Sequence, residues 1–463
     1  MEEAVAKKQV NKNMVLSKKV KIWDSNNLDK VPSRLVVKEG ELPGSLKGFK
    51  YPISSRPILI NKDLAMDLNK ISTTLSSLLQ QIPSLYFKDD VSEIAGFYFK
   101  GDEMTAQFSL MCNSKNVEIS SRLDLILTEK GFKVLEVNAG SSVGGIEFEN
   151  FEPLIRKVYP ELAGPKNKNS YTYVPTQSLY IKFIVDKIEQ YVTGYKDEIN
   201  IFFLTGNHQK DQGEEDRSFF NVLLNRELEK HRKKGNVFSG NISELKFSNG
   251  QLYFNNKIIH SVLILDHALK DASPDLLRAF MMDKVYFPDH LGTPLIGDKR
   301  NLVLLRRLAI DKKFDPIYND MILDYIPWTE IVEDRRVIYE NKEYNMIELL
   351  QNKKDHFVIK IANGLQGKDV YVGRFLTEDM WDKIIKKALE SNIFIAQEFM
   401  ESIDIKAPDI SNQWASHKLI WGAFGFGNTY GGVWVRMSAA KTDKGVINSA
   451  TGAIEAIVYE HNM

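Results

Sequence analysis

The sequence predicts a protein of mixed α and β structure, an α+β fold that contains a separate α/β unit in its middle. Two strand-like runs flank the turn at residues 128–131, which is typical of a β-hairpin. Helical and strand periodicities then alternate from about residue 175 to 293 in the α/β manner. Strand, turn, strand, helix and strand follow one another between residues 356 and 399. In a chain of 463 residues, these patterns predict two or three domains.

The composition excludes several classes of protein. Sixty-one basic and 61 acidic residues cancel, so no overall positive field attracts nucleic acid or an anionic membrane. The single cysteine, Cys112, excludes a disulfide framework and a multi-cysteine zinc site, and it fits a reducing compartment. A small buried apolar residue is the simplest explanation of that cysteine. The N-terminus has no apolar signal core, and no apolar run approaches the ~18 residues of a membrane span. These features predict a cytoplasmic protein with no nucleic-acid or membrane partner.

The chain divides into segments that composition and periodicity define. We predict an N-terminal extension over 1–59, a unit with a helix and the hairpin over 60–165, the α/β unit over 175–293, and a last series of strands over 294–463. Lysines, prolines and glycines mix in residues 1–50, which indicates an irregular arm or a partner-facing extension. The polar stretch 164–170 is typical of a linker. Inside the α/β unit, Asn249-Gly250 indicates a type I′ hairpin turn.

A lysine inside an apolar strand is the first candidate for chemistry. Lys360 is surrounded by apolar residues, and a loop with Gly364 and Gly367 follows it. A half-buried lysine is costly unless an anion meets it. Glycines let backbone N–H groups turn toward a phosphate, and Lys368 adds charge at the tip of the loop. An edge-strand lysine before an ordinary hairpin explains this segment about equally well. The Walker A and dinucleotide GxGxxG motifs are absent from the sequence.

Three residues with side-chain oxygens on the predicted hairpin are candidate metal ligands. Glu136 and Asn138 are two apart on a strand and therefore share a face. Asp124 pairs opposite Glu136 on that face if the connecting loop has an odd number of residues, and a one-residue slip turns it away. Two carboxylates and an amide oxygen suit Mg²⁺, which completes its shell with phosphate oxygens and water. The alternative is a hairpin whose alternating polar residues face solvent.

Two later strands supply the remaining candidates. One ends in Gln397-Glu398-Phe399-Met400, where a strand that leaves the core exposes backbone donors and acceptors to the edge of adenine. Taken alone, this segment is only a strand end. In the other, Arg436 alternates with apolar residues and projects into the same interior as Lys360. Arginine suits bidentate contact with phosphate or carboxylate, and a structural ion pair is the alternative.

Together these segments resemble the ATP-grasp superfamily over residues 120–455. In that family a lysine strand, a glycine-rich loop, a QEF-like hinge and an acid-and-asparagine strand build a nucleotide cleft between two α+β subdomains. Here the acid-and-asparagine strand comes first. The order is similar to that of the circularly permuted ATP-grasp proteins, which include glutathionylspermidine synthetase-like enzymes. The resemblance implies an ATP-grasp fold with circularly permuted halves and an inserted α/β substrate domain.

The resemblance also implies a role for each matching residue. Lys299 and Lys360 would contact phosphate, and the phosphate lid would consist of Gly364, Gln366, Gly367 and Lys368. The adenine edge would meet Gln397, Glu398, Phe399 and Met400, and magnesium would be held by Asp124, Glu136 and Asn138. Arg436 would contact the γ-phosphate or the acyl phosphate, with an assisting contact from Asn448. This chain departs from the family at Ser416-His417-Lys418, where relatives often have an acid-x-arginine. Lys418 stands in for the arginine, and the missing acid leaves one ribose or metal contact unassigned.

The chemistry implied is that of an ADP-forming carboxylate–amine ligase that uses ATP and Mg²⁺. The γ-phosphate passes to a substrate carboxylate, and an amine then attacks the acyl phosphate. The fold does not fix the acid and the amine, which are small molecules or peptides. Ser141 and Ser142 after the metal strand, and Asn207 at the end of another strand, are candidates for the substrate wall. A nucleotide-binding scaffold without catalysis and an ATP-grasp phosphotransferase are the alternatives, and a homodimer is one assembly that we expect.

Overall fold

The computed structural model describes residues 33–46, 49–159, 162, 171–195, 197–204, 210–264, 273–364, 369–391, 393–408, 413–440, 447 and 452–461. Its strands are β1 Ile58–Ile60, β2 Ser120–Thr128, β3 Gly131–Ala139, β4 Tyr171–Thr172, β5 Glu198–Leu204, β6 Lys234–Gly240, β7 Lys246–Ser248, β8 Gln251–Phe254, β9 Lys257–Ile258, β10 Ser261–Ile264, β11 Thr329–Ile331, β12 Arg336–Tyr339, β13 Lys342–Asn345, β14 Phe357–Ile361, β15 Val370–Val372, β16 Phe394–Glu398, β17 Ile405–Pro408, β18 Trp414–Phe426, β19 Thr429–Ala439 and β20 Ile454–His461.

Its α-helices are α1 Lys62–Leu79, α2 Ile82–Phe87, α3 Val91–Tyr98, α4 Glu103–Ser114, α5 Glu152–Val158, α6 Thr176–Tyr191, α7 Lys210–Lys230, α8 Pro274–Met281, α9 Thr293–Gly297, α10 Asn301–Ile310, α11 Pro316–Tyr325, α12 Met346–Asn352 and α13 Glu378–Leu389. Among the described residues, every helix is too short or too polar to cross a lipid bilayer.

The largest sheet takes strands from both ends of the chain. Six of its eight strands run in the order β1, β20, β19, β18, β2, β3, and β17 pairs with β18 while β4 pairs with β20. Neighbouring strands are antiparallel except for β1 and β20. The predicted hairpin β2–β3 therefore lies beside the glycine-rich hairpin β18–β19, although the two are far apart in sequence.

The two faces of this sheet differ in what covers them. α1 packs on one face through leucine and isoleucine residues at three-to-four spacing. Ser121 points to that face, because the Ser76 hydroxyl of α1 donates to the Ser121 hydroxyl at 2.7 Å. Since side chains alternate along a strand, Arg122 and Asp124 lie on the opposite face of the sheet from Ser121. That opposite face carries the polar groups described below.

The predicted α/β unit forms a three-stranded parallel sheet in the order β10, β5, β6. α7 connects β5 to β6, so these elements make a βαβ crossover, and α7 packs on β6. Asn249 and Gly250 join β7 to β8 with φ angles of 49° and 73°. Two successive positive φ angles confirm the predicted type I′ turn.

A four-stranded antiparallel sheet, in the order β11, β16, β14, β15, carries Lys360. α13 begins after the Thr377 cap and buries one apolar face, made of Trp381, Ile384, Ile385 and Ala388. The hydrophobic cluster of this sheet is separate from that of the largest sheet. The lysine strand therefore belongs to a lobe with its own core.

Candidate functional site

The hairpin β2–β3 brings two predicted metal ligands together, although not by the route that we expected. The connecting loop covers residues 129–130, an even number, so the condition of an odd loop is wrong. A β-bulge inserts Leu135 into β3 ahead of the next pair. The extra residue supplies the missing offset, so Asp124 lies directly opposite Glu136. Both carboxylates thus share one face of the sheet.

Two arginines hold Asp124. Arg122 donates through Nε to Oδ1 at 2.9 Å, and a terminal nitrogen of Arg436 lies 2.8 Å from Oδ2. Burial alone would raise the pKa of Asp124, but the two guanidinium charges outweigh it and lower that pKa to about 2. Asp124 is therefore ionised at neutral pH. The predicted arginine meets the predicted metal carboxylate, across strands from distant parts of the chain.

The ammonium group of Lys360 lies at the boundary between the two lobes. Its Nζ donates to the Leu135 carbonyl at 2.9 Å and to Gln397 Oε1 at 2.7 Å. Leu135 is the bulge residue, whose backbone is outside the regular ladder and is available to a side chain. Burial lowers the pKa of Lys360 to about 8, although the charge of Glu136 opposes that shift. The lysine is mainly charged at neutral pH.

Lys299 approaches the Glu136 carboxylate from a third element, the turn before α10. Its Nζ lies 3.6 Å from Glu136 Oε2 and donates to the Gly364 carbonyl at 2.7 Å. Gly364 is the first residue of the predicted lid. Both predicted phosphate lysines therefore interact with Glu136, and one of them also fixes the start of the lid.

A cavity of about 100 Å³ lies beside Lys360 between the lobes. Apolar side chains from both sheets line it, namely Ile126, Leu135, Val358, Val370 and Ile420, and the predicted hinge Gln397-Glu398-Phe399-Met400 forms one side. The Gln397 amide donates to Thr329 Oγ1 at 3.1 Å, and its oxygen already accepts from Lys360. The backbone N–H groups of Glu398 and Phe399 donate to the carbonyls of Trp328 and His356, so a ligand at the hinge would use the remaining backbone groups and the apolar slot, which suits a planar base.

Lys418, predicted to replace an arginine, is paired with two carboxylates. Its Nζ lies 2.5 Å from Glu401 Oε1 and 2.9 Å from Asp404 Oδ1. Both acids follow the hinge in sequence, and Glu401 also lines the cavity. Lys418 therefore has carboxylate partners from the segment after the hinge, although residue 416 is a serine.

Arg122 and Trp434 also belong to this site, although neither is among the residues predicted from the sequence. The Trp434 ring centroid is 5.9 Å from the Arg122 guanidinium and 5.2 Å from that of Arg436. Phe148 stacks on Trp434 with centroids 4.9 Å apart and planes 9° apart. Arg122 precedes Asp124 by two residues, so strand alternation gives a signal for it. The contact between Phe148 and Trp434 joins distant segments and leaves no signal in either.

The other predicted residues fall into two groups, one beside the charged cluster and one outside the described part of the chain. Asn138 donates its amide to the Arg122 carbonyl at 3.4 Å. Ser141 lies buried in the loop after β3, where its backbone N–H donates to Asp289, and Ser142 follows it. Five predicted residues lie outside the described part: Asn207, Gln366, Gly367, Lys368 and Asn448.

The carboxylates of the hairpin fit a metal that also binds phosphate oxygens. Within the described ranges, no group of three or more His, Cys, Asp or Glu side chains is placed to hold a metal by itself. Asp124 already meets two arginines, whereas the Glu136 side chain is 25% exposed. Two carboxylates near the amide of Asn138 nevertheless form an all-oxygen donor set, which suits Mg²⁺ because it takes few protein ligands. The metal site stays a prediction, with Glu136 its most accessible ligand.

These sheets define an α+β protein with a charged cleft between two lobes, which confirms the predicted fold class. No protein-family model matches the chain, and no curated protein matches it either. A solved structure of a glutathione synthetase-like effector from Globodera pallida, in its apo form, is similar in fold, with a TM-score of 0.57. The match covers 97% of each chain at 14% sequence identity. At that identity, the similarity establishes the fold alone.

Two other solved structures are similar at lower scores. One is described as a gamma-glutamylcysteine synthetase from Methylobacillus flagellatus KT, with a TM-score of 0.40, 11% identity, and coverage of 85% of this chain and 88% of that chain. The other is D-alanyl-alanine synthetase A from Vibrio cholerae O1 biovar eltor, with a TM-score of 0.24, 13% identity, and coverage of 50% and 68%. These scores are too low to support an argument about this chain.

Proposed function

We propose that the protein is an ATP-grasp ligase with circularly permuted halves, which uses ATP and Mg²⁺ to join a carboxylate to an amine. One observation carries the proposal: Lys299, Lys360 and Arg436 converge from separate elements on the Asp124–Glu136 pair. This cluster lies next to an apolar cavity with a strand-end hinge. Cations and carboxylates arranged in this way suit the polyphosphate of a metal-bound nucleotide.

The side chains of the cluster would position and neutralise the transferring phosphoryl group. With a base in the apolar cavity, the phosphates lie toward Lys360, which borders that cavity. Lys360 and Lys299 offset the negative charge of the phosphates, and Arg436 adds a rigid guanidinium beside Asp124. When bound at Glu136, Mg²⁺ supplies further neutralisation of the same charge.

The proposed reaction has two steps. An oxygen of the substrate carboxylate attacks the γ-phosphorus, the bond from that phosphorus to the β,γ-bridging oxygen breaks, and ADP leaves. The amine nitrogen then attacks the acyl carbon, the carbon–oxygen bond to phosphate breaks, and the nitrogen loses a proton. Because water competes with the amine for the acyl phosphate, the reaction needs a cleft that excludes water.

Release of phosphate tests this function. Purified protein receives ATP, Mg²⁺ and a panel of acids and amines, and we expect ADP and phosphate to appear only when an acid and an amine are both present. Lys360→Ala and Glu136→Ala should abolish the release. Lys342→Ala is the control, since Lys342 is exposed on the β12–β13 hairpin.

Other outcomes would favour the alternative functions. Turnover that survives Lys360→Ala and Glu136→Ala contradicts the site. Nucleotide binding in calorimetry, without turnover on the panel, favours a scaffold. A phosphorylated product in ³¹P NMR, in place of free phosphate, favours a phosphotransferase.

A further inference from the structure

One carboxylate outside the charged cluster joins two separate parts of the molecule. Asp289 Oδ1 accepts the backbone N–H of Ser141 at 2.7 Å, and Oδ2 accepts the backbone N–H of Ile264 at 2.9 Å. Each oxygen thus has its own donor, one in the loop after β3 and the other at the end of β10. A carboxylate that accepts two backbone N–H groups in this way fixes both in position.

The two N–H donors lie next to the predicted metal ligands and at the end of a strand of the α/β unit. Ser141 is three residues after Asn138, in the loop that leaves the metal strand. Ile264 is the last residue of β10, one strand of the parallel sheet β10–β5–β6. The carboxyl ends of parallel strands form the edge at which α/β units bind ligands. Asp289 therefore ties the loop after β3 to the carboxyl edge of the parallel sheet, where a substrate of the α/β unit is expected to bind.

The loop after the metal strand is shaped to this contact. Gly140 has a φ of 101°, and a Cβ at that position would lie 2.5 Å from Asp289 Oδ1. Ser120 also anchors Gly140, because its hydroxyl donates to the Gly140 carbonyl at 2.8 Å. A residue other than glycine would push the loop away from the carboxylate. Backbone conformation and side-chain contact therefore specify the same position.

We propose that Asp289 is a positioning residue that sets the distance between the phosphate-transfer half of the site and the half that holds the carboxylate substrate. It acts through Ser141 and Ile264 and does not touch the substrate. The inference rests on the proposed function and adds to it, because it assigns substrate presentation to the junction between the hairpin and the α/β unit. Neither Ser141 nor Ile264 lines the nucleotide cavity between the lobes, so we expect nucleotide binding to be independent of this junction.

The test uses Asp289→Asn in the full chain. The substitution keeps the size of the side chain and one acceptor, but it turns an NH₂ group toward one of the two N–H donors. We expect the KM for the carboxylate substrate, identified on the acid and amine panel, to rise at least tenfold. The Kd for AMP-PNP with Mg²⁺, measured by calorimetry, should change less than twofold.

Thr293→Val is the matched control. Thr293 Oγ1 donates to the Pro288 carbonyl at 2.7 Å in the same turn, and that hydrogen bond does not involve Ser141 or Ile264. We expect this variant to lose a comparable amount of thermal stability and to keep the KM of the wild type. If Asp289→Asn does not fold, Gly140→Ala tests the same contact from the other side, and we expect the same rise in KM.

A second measurement separates failure of this inference from failure of the proposed function. Hydrogen–deuterium exchange in Asp289→Asn should accelerate at the amides of Ser141 and Ile264 and remain unchanged in β14. If the wild type turns over and Asp289→Asn keeps its KM, the inference is wrong and the ligase function stands. If the wild type releases no phosphate with any pair, the ligase function is wrong. The inference about substrate presentation then falls with it, while faster exchange at both amides would still establish the junction.

Discussion

Lys360 is held by two acceptors that come from different lobes, the Leu135 carbonyl and the Gln397 side chain. The contact to Leu135 crosses the cleft, whereas Gln397 is a neighbour in the same sheet. Burial lowers the pKa of this lysine to about 8, while Glu136 keeps it from falling further. The positive charge of Lys360, which a phosphate would meet, is therefore present at neutral pH. It is lost within the pH range that a binding experiment can cover.

The pH dependence of nucleotide binding tests this arrangement. A lysine with a lowered pKa loses its proton above about pH 8, so the charged form that binds phosphate becomes scarce as the pH rises. We expect the Kd for AMP-PNP with Mg²⁺ to rise about tenfold between pH 7 and pH 9 in calorimetry. Lys360→Arg stays charged and should remove most of this dependence, whereas Lys299→Arg should retain it. A Kd that is flat over this range in the wild type contradicts the role of Lys360.

Sequence reasoning at the residue scale succeeds where strand alternation is sufficient. Glu136 and Asn138 follow from spacing, and the same rule extends to Arg122, which precedes Asp124 by two residues. The rule does not give the partner of a charge. The pairing of Asp124 with Arg436 depends on β18 lying between their strands, a contact between segments far apart in sequence.

At the scale of elements, the β2–β3 hairpin shows how a single extra residue sets a site. The sequence predicts both strands and the turn, but the two-residue loop alone would place Asp124 opposite a different residue of β3. Leu135 corrects the register and turns its carbonyl to Lys360. The bulge could not be predicted, because its benefit comes from a lysine on another sheet.

Deletion of Leu135 separates these two effects. Deletion moves Glu136 into the ladder position that the two-residue turn sets opposite Asp124, so the pair is kept without a bulge and we expect the hairpin to fold. Lys360 loses one of its two acceptors, and a hydrogen bond to a charged group is worth about 1.5–3 kcal/mol. We expect the Kd for AMP-PNP to rise at least tenfold, because the ammonium group of Lys360 shifts from its position. Leu135→Ala keeps the carbonyl and should bind nearly as the wild type does.

A glycine on β18 gives the site face of the largest sheet its shape. Gly422 lies between Asp124 and Trp434 in neighbouring strands. A Cβ on Gly422 would lie 2.7 Å from the Trp434 indole nitrogen and 3.2 Å from Arg122 Cδ. The absent side chain leaves room for the ring that lies near both arginines.

Gly422→Ala should therefore disturb both stability and catalysis. Overpacking of this kind costs about 1–3 kcal/mol, and the displaced ring moves Arg122 and Arg436. We expect a lower midpoint of urea unfolding and at least a tenfold loss of phosphate release. Gly297→Ala is the control, because a Cβ there meets no atom within 4 Å. Wild-type stability in Gly422→Ala would show that the ring is free to move.

At the scale of the molecule, the fold class and the α/β unit follow from periodicity, whereas the joining of the largest sheet does not. Its strands come from residues 58–60, 120–139, 171–172 and 405–461, and no local pattern links them. The resemblance to a family with two lobes predicts that the distant halves of the site lie together, without knowledge of any contact between them. The assignment of the C-terminal strands to the sheet of the β2–β3 hairpin requires the three-dimensional structure.

The lobes are also joined by an ion pair beside the hinge. Glu401 pairs with Arg374 of the lysine lobe at 2.6 Å and with Lys418 of β18 at 2.5 Å. The Arg374 guanidinium lies 4.0 Å from the centroid of the Phe399 ring. Burial raises the pKa of Glu401, but hydrogen bonds from both cations outweigh it and leave that pKa below its usual value. One carboxylate thus connects both lobes to the hinge that lines the cavity.

Glu401→Gln should weaken nucleotide binding more than it weakens the fold. The Glu401 side chain is 59% exposed, so its ion pairs contribute at most about 1 kcal/mol to stability. Loss of the carboxylate frees Arg374 and Lys418, and the hinge is then less firmly placed between the lobes. We expect the Kd for AMP-PNP to rise about threefold, with a thermal midpoint close to that of the wild type. Glu343→Gln breaks an exposed pair with Arg336 on the β12–β13 hairpin and should leave the Kd unchanged. Equal effects of the two substitutions would mean that Glu401 acts only as a surface charge, because Glu401 pairs with residues of both lobes and Glu343 does not.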